Sequence, residues 1–320
     1  MPVYAKDTEN APRGRRRSSV VGTVVLVGLL CCGVAIMAYP TVSDWWNSFH
    51  TTRAIASYNE AIAQMDEVDL EAMRAEAVAF NEHLAALAAP FSEFDKVRDE
   101  YERALNVGGD GLMGYVSIPK INVQLPIYHG TSEGVLNGNV GHLEGSSLPV
   151  GGPGTHAVLC AHRGLPEATL FTDMDRLKEG DTFSVTVLDR ELFYEVDQIL
   201  IVEPDHMDAL AIVEGEDLCT LQTCTPYGVN SHRMLVRGHR IDEPLGASAA
   251  GDVASRVSPA MAAAAVGVPA LTVTLALALV LYRRKPPMPT VGQMADWAAR
   301  REDVKGNKEE KSIASPKEDS

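Results

Sequence analysis

The chain has 320 residues, 46% apolar and 22% charged, a balance that excludes wholesale disorder and a collagen-like or disulfide-scaffold chain. Its net charge of −15 argues against a nucleic-acid partner, because a phosphate backbone asks for clustered Lys and Arg. The charge is unevenly placed: residues 1–19 balance at +3 and 283–320 at +2, so the stretch between them carries −20.

Taken in order, 1–19 is a basic tail with Arg13, Arg15, Arg16 and Arg17 at its end. Val20–Tyr39 follows without a charge, long enough to cross a bilayer core of about 30 Å. It is longer than a signal-peptide core and has no clean small-x-small cleavage site after it, so it reads as an uncleaved anchor over 20–40. A second uncharged run, Val257–Tyr282, ends at Arg283, Arg284 and Lys285. Pro259 and Pro269 fall inside it and would shorten or kink the span. Basic flanks stay in the cytoplasm. Both termini are therefore expected inside and the acidic middle outside.

Thr41–Ala89 holds neither Gly nor Pro and is dense in good helix formers, so one or two long helices are expected, ended by Pro90. Ser92 and Asp95 are spaced as a capping box that opens a further helix to about Asn106. The helical segment is 41–107. Gly108, Gly109 and Gly111 then mark a boundary.

Seven short β-rich runs lie between turn residues: 114–118, 123–128, 156–160, 182–188, 192–202, 218–224 and 233–241. They argue for a mainly β sandwich or barrel over about 108–245. Residues 129–139 and 168–177 read as short connecting helices. A linker, 246–256, leads to the second span, 257–282. The tail 283–320 is rich in Lys, Glu, Ser and Pro and reads as disordered, with a short helix near Val291–Arg300.

Five cysteines are present: Cys31, Cys32, Cys160, Cys219 and Cys224. Cys224 ends a β-run just before Pro226 and Gly228, where a thiol is placed to meet a substrate. Cys219 is five residues away on one strand, about 16 Å at 3.3 Å per residue. A disulfide requires Cα atoms within about 7 Å. Cys219 therefore reads as core.

A thiol nucleophile needs a base or cationic neighbour and help for the oxyanion. His162 sits where an apolar strand gives way to Gly164 and Pro166. His50, His83, His129, His142 and His156 are more simply solvated or hydrogen-bonded histidines, and His156 with His162 lacks a third metal ligand. Arg233 begins the strand that returns from the Cys224 loop. His232, Arg237, His239 and Arg240 compete with it, and periodicity does not choose among them.

Several strings resemble the sortase family: TLQTCTPYG (Thr220–Gly228), NSHRMLVRGHR (Asn230–Arg240), HRGLP (His162–Pro166), GYVSIPKINVQLPIYHGTS (Gly114–Ser132) and GHLEGSSLPVGGPGTHAVL (Gly141–Leu159). The TPYG string, the helical segment and the second apolar run are most similar to class C, the pilin-polymerising sortases of Gram-positive bacteria. The resemblance implies a closed eight-stranded sortase-type β-barrel with short connecting helices, preceded by an α-helical segment and flanked by two transmembrane helices.

By motif, the resemblance assigns Cys224 as nucleophile, His162 as proton-transfer residue and Arg233 as oxyanion-positioning residue. It implies cleavage of an LPXTG-like sorting signal between Thr and Gly, with a pilin lysine as acceptor. No cofactor or metal is expected, and the partners are pilin precursors and the membrane. The alternatives are a housekeeping-type sortase acting on cell-wall peptide and a non-catalytic pilus scaffold.

Class C members resemble one another in an Asp-Pro-aromatic lid over the cysteine. This chain has Ala89-Pro90-Phe91, so Pro90 and Phe91 are lid candidates without the Asp, and a looser lid is expected. Strand alternation places Cys160 on the same face as His162, which leaves an oxidised Cys160–Cys224 pair as an open expectation.

Overall fold

The computed structural model describes residues 15–165, 168–226, 228–243 and 267–274, with single positions at 292, 295 and 296. The chain divides into two units, 1–32 with 269–320, and 33–268. All the strands lie in the second unit.

Helix α1 runs Arg15–Gln64 and α2 runs Glu67–Ala85. The break between them is set by Asp66, whose extended backbone and side chain cap α2 by accepting from Asp69 N at 2.8 Å. Among the described residues, α1 is the one helix long and apolar enough to cross a membrane. The second apolar run lies outside the described residues apart from 267–274, which are helical. The linker 246–256 and the tail 283–320, single positions excepted, also lie outside them.

The helix expected from Ser92 to Asn106 is broken into three pieces. Helix α3 spans Pro90–Glu93, a 3₁₀ turn spans Phe94–Lys96, and α4 spans Arg98–Arg103. No capping box forms, because Pro90 itself opens α3 at its first turn and Asp95 pairs instead with Arg98 at 2.7 Å.

Among the described residues eight strands follow: β1 Leu112–Ile118, β2 Val123–His129, β3 Val140–His142, β4 Thr155–Cys160, β5 Thr182–Val187, β6 Arg190–Val202, β7 Asp217–Thr225 and β8 His232–Ile241. They close into a barrel in the order β1-β2-β3-β4-β7-β8-β6-β5. The β2/β3 and β4/β7 pairs are parallel and the rest antiparallel.

Seven of the strands match β-rich runs in the sequence. The eighth, β3, is only Val-Gly-His, too short to alternate, and is held by pairing Val140 with Ile127 and Gly141 with Cys160. Helix α5, Glu133–Leu136, occupies the expected 129–139 connection. The expected helix over 168–177 is not formed. Leu170 takes a positive φ of 41°, and only a 3₁₀ turn at Met174–Arg176 follows.

Alternation puts one set of side chains inside the barrel: Val116, Ile118, Leu159, Phe183, Val185, Cys219, Leu221 and Val236 are all 3% exposed or less. Cys219 is thus core, and burial raises its thiol pKa. The helical segment is stapled onto the barrel wall. Ile55, Tyr58 and Ile62 of α1 are buried, each contributing about 1.5–3 kcal/mol by burial. Tyr58 Oη donates to Met113 O at 2.8 Å and accepts from Leu188 N at 2.7 Å. From α2, Asn81 pairs with both backbone groups of Leu148, and Arg74 bridges Glu71 and Asp189.

Candidate active site

Cys224 lies near the end of β7 and Arg233 near the start of β8. The antiparallel register makes them direct partners. Directly opposed residues project to the same face. Interior positions Leu221 and Thr223 flank Gln222 and Cys224, so Gln222 and Cys224 stand on the outer face, both half-buried.

Parallel pairing of β4 with β7 sets Cys160 beside Gln222. The two chains stay joined beyond the strand: Ala161 N donates to Gln222 O at 3.1 Å, and Thr223 Oγ1 donates to Ala161 O at 2.8 Å. One residue later comes His162. The register therefore delivers His162 to the end of the barrel where Cys224 and Arg233 face each other, and all three are half-buried.

The described residues that follow His162 are tied down at several points. Phe171 N donates to His162 O at 3.2 Å, Gly164 N donates to Thr172 Oγ1 at 3.1 Å, and Arg163 pairs with Asp175 at 2.9 Å. Thr169 donates from both its amide and its hydroxyl to Asp44 of α1, at 2.9 and 2.8 Å.

Arg233 Nη1 reaches the carbonyls of Asn230 and His232, each at 3.3 Å. Among the described residues it pairs with no carboxylate, so its charge stands beside Cys224 without an acidic partner there. His232 bonds Ser231, and Arg237 is committed to Asp197 in a two-pronged pair at 3.0 and 2.9 Å. Of the competitors, His232 and Arg237 are thus engaged elsewhere, while His239 lies 3.9 Å from Asp197 and Arg240 sits over the Tyr194 ring.

Away from the Cys224 end, the outer face becomes apolar. Val158, Cys160, Leu210 and Leu235 form a small buried cluster, with Leu200, Val202, Met207 and Phe91 packed on it. Burial pushes the Cys160 thiol up to about 12, with Cys224 adding to the rise and Arg233 opposing it. Cys160 and Cys224 are both free thiols here. Their offset of two residues on adjacent strands is a diagonal of about 7–8 Å, beyond the reach of an unstrained disulfide.

Pro90 and Phe91 sit at the start of α3. Phe91 lies against Gly145, whose positive φ of 88° and missing Cβ make the contact possible: a Cβ there would come within 2.8 Å of Phe91 Cα. A cavity of about 360 Å³ lies beside this contact, lined by Leu87, Pro90, Phe91, Gly145, Met207 and Leu210. Ala89 precedes the helix with no side-chain cap.

His142 and His156 are not at this site. His142 is fully buried and donates through Nε2 to Ser147 O at 2.7 Å, with Tyr101 Oη at 3.1 Å from Nδ1. Burial lowers its pKa to about 4. His156 spans Ala211 O at 2.9 Å and Thr220 Oγ1 at 2.8 Å, tying the β6–β7 connection to the barrel, and burial lowers its pKa as well.

The barrel order, the two parallel pairs and the Cys224–Arg233 pairing now meet the comparisons with known proteins. Residues 116–241 match the Sortase domain family. Sortase C1 of Streptococcus agalactiae is 47% identical, with a TM-score of 0.56 over 60% of this chain and 100% of that one. The chain belongs to the sortase family. Sortase C of Streptococcus pneumoniae is 45% identical, with a TM-score of 0.53 over 60% of this sortase and 100% of that chain. These structural neighbours are class C sortases. Sortase D of Bacillus subtilis is 30% identical over 131 residues, 40% of this sortase and 63% of that relative. The matched stretch thus spans about three-fifths of that curated relative's length.

The sequence alone did not single out the cross-strand row of Gln222, Leu235 and Leu200, the seat for Phe91 at Gly145, or the brace from Asp44. Only Gly145 carried a local signal, as a glycine in a loop rich in small residues. The others depend on register between distant strands.

Proposed function

We propose that this sortase is a class C cysteine transpeptidase that joins pilin subunits. The observation that carries the reading is the cross-strand pairing of Cys224 with Arg233, at the barrel end to which the β4–β7 register brings His162. Full-length coverage of class C neighbours at 45–47% identity supports the subclass.

In this reading an LPXTG-like peptide lies along the outer-face groove of β4, β7, β8 and β6. Cys224, as thiolate, attacks the carbonyl carbon between Thr and Gly. The carbonyl oxygen becomes negative, and Arg233 donates to it. His162, as imidazolium, gives its proton to the leaving glycine nitrogen, the C–N bond breaks, and a thioester remains on Cys224. A lysine ε-amine from another pilin then attacks the thioester carbon, His162 takes the proton from that nitrogen, and the C–S bond breaks, releasing the isopeptide and returning the Cys224 thiolate beside the His162 imidazolium.

Phe91, carried by Pro90 at the start of α3, fills the apolar part of the groove and must leave before a sorting signal enters. Ala89 offers Arg233 no carboxylate, so the plug rests on apolar contact alone. The apolar run of α1 anchors the enzyme. The run 257–282 supplies a second span, with the barrel of 108–245 outside and both termini in the cytoplasm. The basic end 1–19, the lid-bearing segment 41–107, the linker 246–256 and the tail 283–320 complete this organisation.

The test is incubation with a sorting-signal precursor and an acceptor pilin domain. Lysine-linked ladders that disappear in Cys224→Ala support the proposal. Monomeric products linked to cell-wall peptide would instead indicate the housekeeping reaction. Pilus assembly unchanged in Cys224→Ala would indicate a scaffold.

A further inference from the structure

Helix α1 leaves its apolar run with an unusual distribution of side chains. The face turned to the barrel is polar at first: Asp44, Asn47, Ser48 and Thr51 line a small cavity of about 90 Å³ with Asn122 and Thr169. The opposite face carries Trp45, Trp46 and Phe49, which are 38%, 57% and 53% exposed. A helix lying on a protein in water does the reverse, turning its apolar stripe inward and its polar stripe out.

The inversion stops sharply. Steps of four residues along the outward stripe lead from Trp45 and Phe49 to Arg53 and Ser57, which are exposed and polar. Below Ile55 the barrel-facing side becomes apolar, with Ile55, Tyr58 and Ile62 buried. At 1.5 Å per residue, the change from aromatic to charged takes about 6 Å of helix. The aromatic rings are also organised, with Trp45 and Phe49 centroids 6.5 Å apart and Trp46 stacked edge-on to His50 at 4.9 Å. Toward the N-terminus the same helix runs on into its apolar run, where Tyr39, Met37 and Ile36 are exposed on several sides instead of along one stripe.

We propose that Trp45, Trp46 and Phe49 form a surface that lies in the lipid headgroup layer, placing the bilayer–water boundary between Trp45 and Arg53. Amphipathic aromatic rings favour that layer. The occupant is lipid because the stripe is continuous with the apolar run and ends where charge begins. A partner protein would not require either feature. On the other face of the same turns, Asp44 holds Thr169, in the segment that braces His162. The boundary therefore fixes the His162 end of the barrel close to the membrane surface. The inference rests on α1 spanning the membrane, but not on the chemistry assigned to Cys224.

The sequence contains three tryptophans, the third being Trp297. Full-length Trp297→Phe enzyme therefore reports only Trp45 and Trp46. It is reconstituted into vesicles of phosphatidylcholine and phosphatidylglycerol carrying a nitroxide either near the headgroup or deep in the acyl chain. The expected result is blue-shifted emission, loss of most of it with the headgroup-proximal nitroxide, a smaller loss with the deep one, and protection from aqueous iodide. Free iodide access with no lipid quenching would overturn the proposal. Protection from iodide without lipid quenching would also overturn it, showing the face covered by protein. Failure of the chain to float with vesicles would remove both the proposal and the span beneath it.

Discussion

Cys224 and Arg233 are direct register partners across β7 and β8, which fixes a thiol and a guanidinium on one face by backbone pairing alone. Two strand ends joined by a short turn hold that relation without help from the rest of the site. Among the described residues Arg233 hydrogen-bonds backbone carbonyls and no carboxylate, so its replacement orphans no buried acid there.

Arg233→Ala is therefore expected to fold with unchanged thermal stability and to lose about 10²–10³-fold in kcat, the range for removing one oxyanion donor. Arg233→Lys should recover only part of it, because an ammonium cannot reproduce the planar fork. Steady-state cleavage of a sorting-signal peptide checks this. A loss confined to KM would mean that Arg233 binds substrate without acting in the transition state.

Phe91 is seated on Gly145 and on the cluster around Cys160 and Leu235. Gly145→Ala forces a Cβ to within 2.8 Å of Phe91 Cα and also strains a positive φ. Phe91→Ala removes the plug directly, with about 1.4 kcal/mol of half-buried ring contact, or about tenfold in the open population. Both changes should accelerate alkylation of Cys224 by a maleimide. Rates equal to wild type in Phe91→Ala would show that α3 does not cover the thiol.

Asp44 accepts two hydrogen bonds from Thr169, 125 residues away. Asp44→Ala should slow acyl transfer by about 3–10-fold, since charged hydrogen bonds of about 1.5–3 kcal/mol each are lost but act on His162 only through Thr169 and Phe171. Asp44→Asn keeps an acceptor oxygen and should restore most of the rate. A shift of the pH–rate profile in Asp44→Ala, absent in Asp44→Asn, separates positioning of His162 from general loosening.

His142 is fully buried and its pKa falls from the ordinary 6.5 to about 4 because burial disfavours the imidazolium. Between those values the unfolded chain binds a proton that the folded one does not, so stability rises with pH across the window. Its contribution is complete above about 6.5 and is lost as pH falls toward 4, up to about 3 kcal/mol. Melting temperature should drop by several degrees over that interval, and the drop should be smaller in His142→Gln. An equal drop in both proteins would assign the acid sensitivity to other groups.

The barrel was largely legible in the sequence because seven of its strands are β-rich runs bounded by turn residues. Strand β3 was not, since three residues with a central glycine have no period and are defined by Ile127 and Cys160 on other strands. The break at Pro90 was visible, but the helix after it was misjudged. Asp95 had a nearer cationic partner in Arg98 than the amide a capping box requires. Likewise 168–177 had helical composition, yet Asp44 binds Thr169 and Leu170 turns left-handed. At the site, spacing alone left Arg233 and Arg237 equivalent. Register separates them, placing Arg233 opposite Cys224 and Arg237 opposite Thr220, where Asp197 takes it.

The measurement that bears most directly on the central claim is mass spectrometry of the full chain after brief exposure to an LPXTG-containing peptide. The account predicts a thioester on Cys224 carrying the peptide through its Thr, released by hydroxylamine, and absent in Cys224→Ala. Peptide cleavage with Cys224 unmodified and the Cys224→Ala enzyme still active would contradict it.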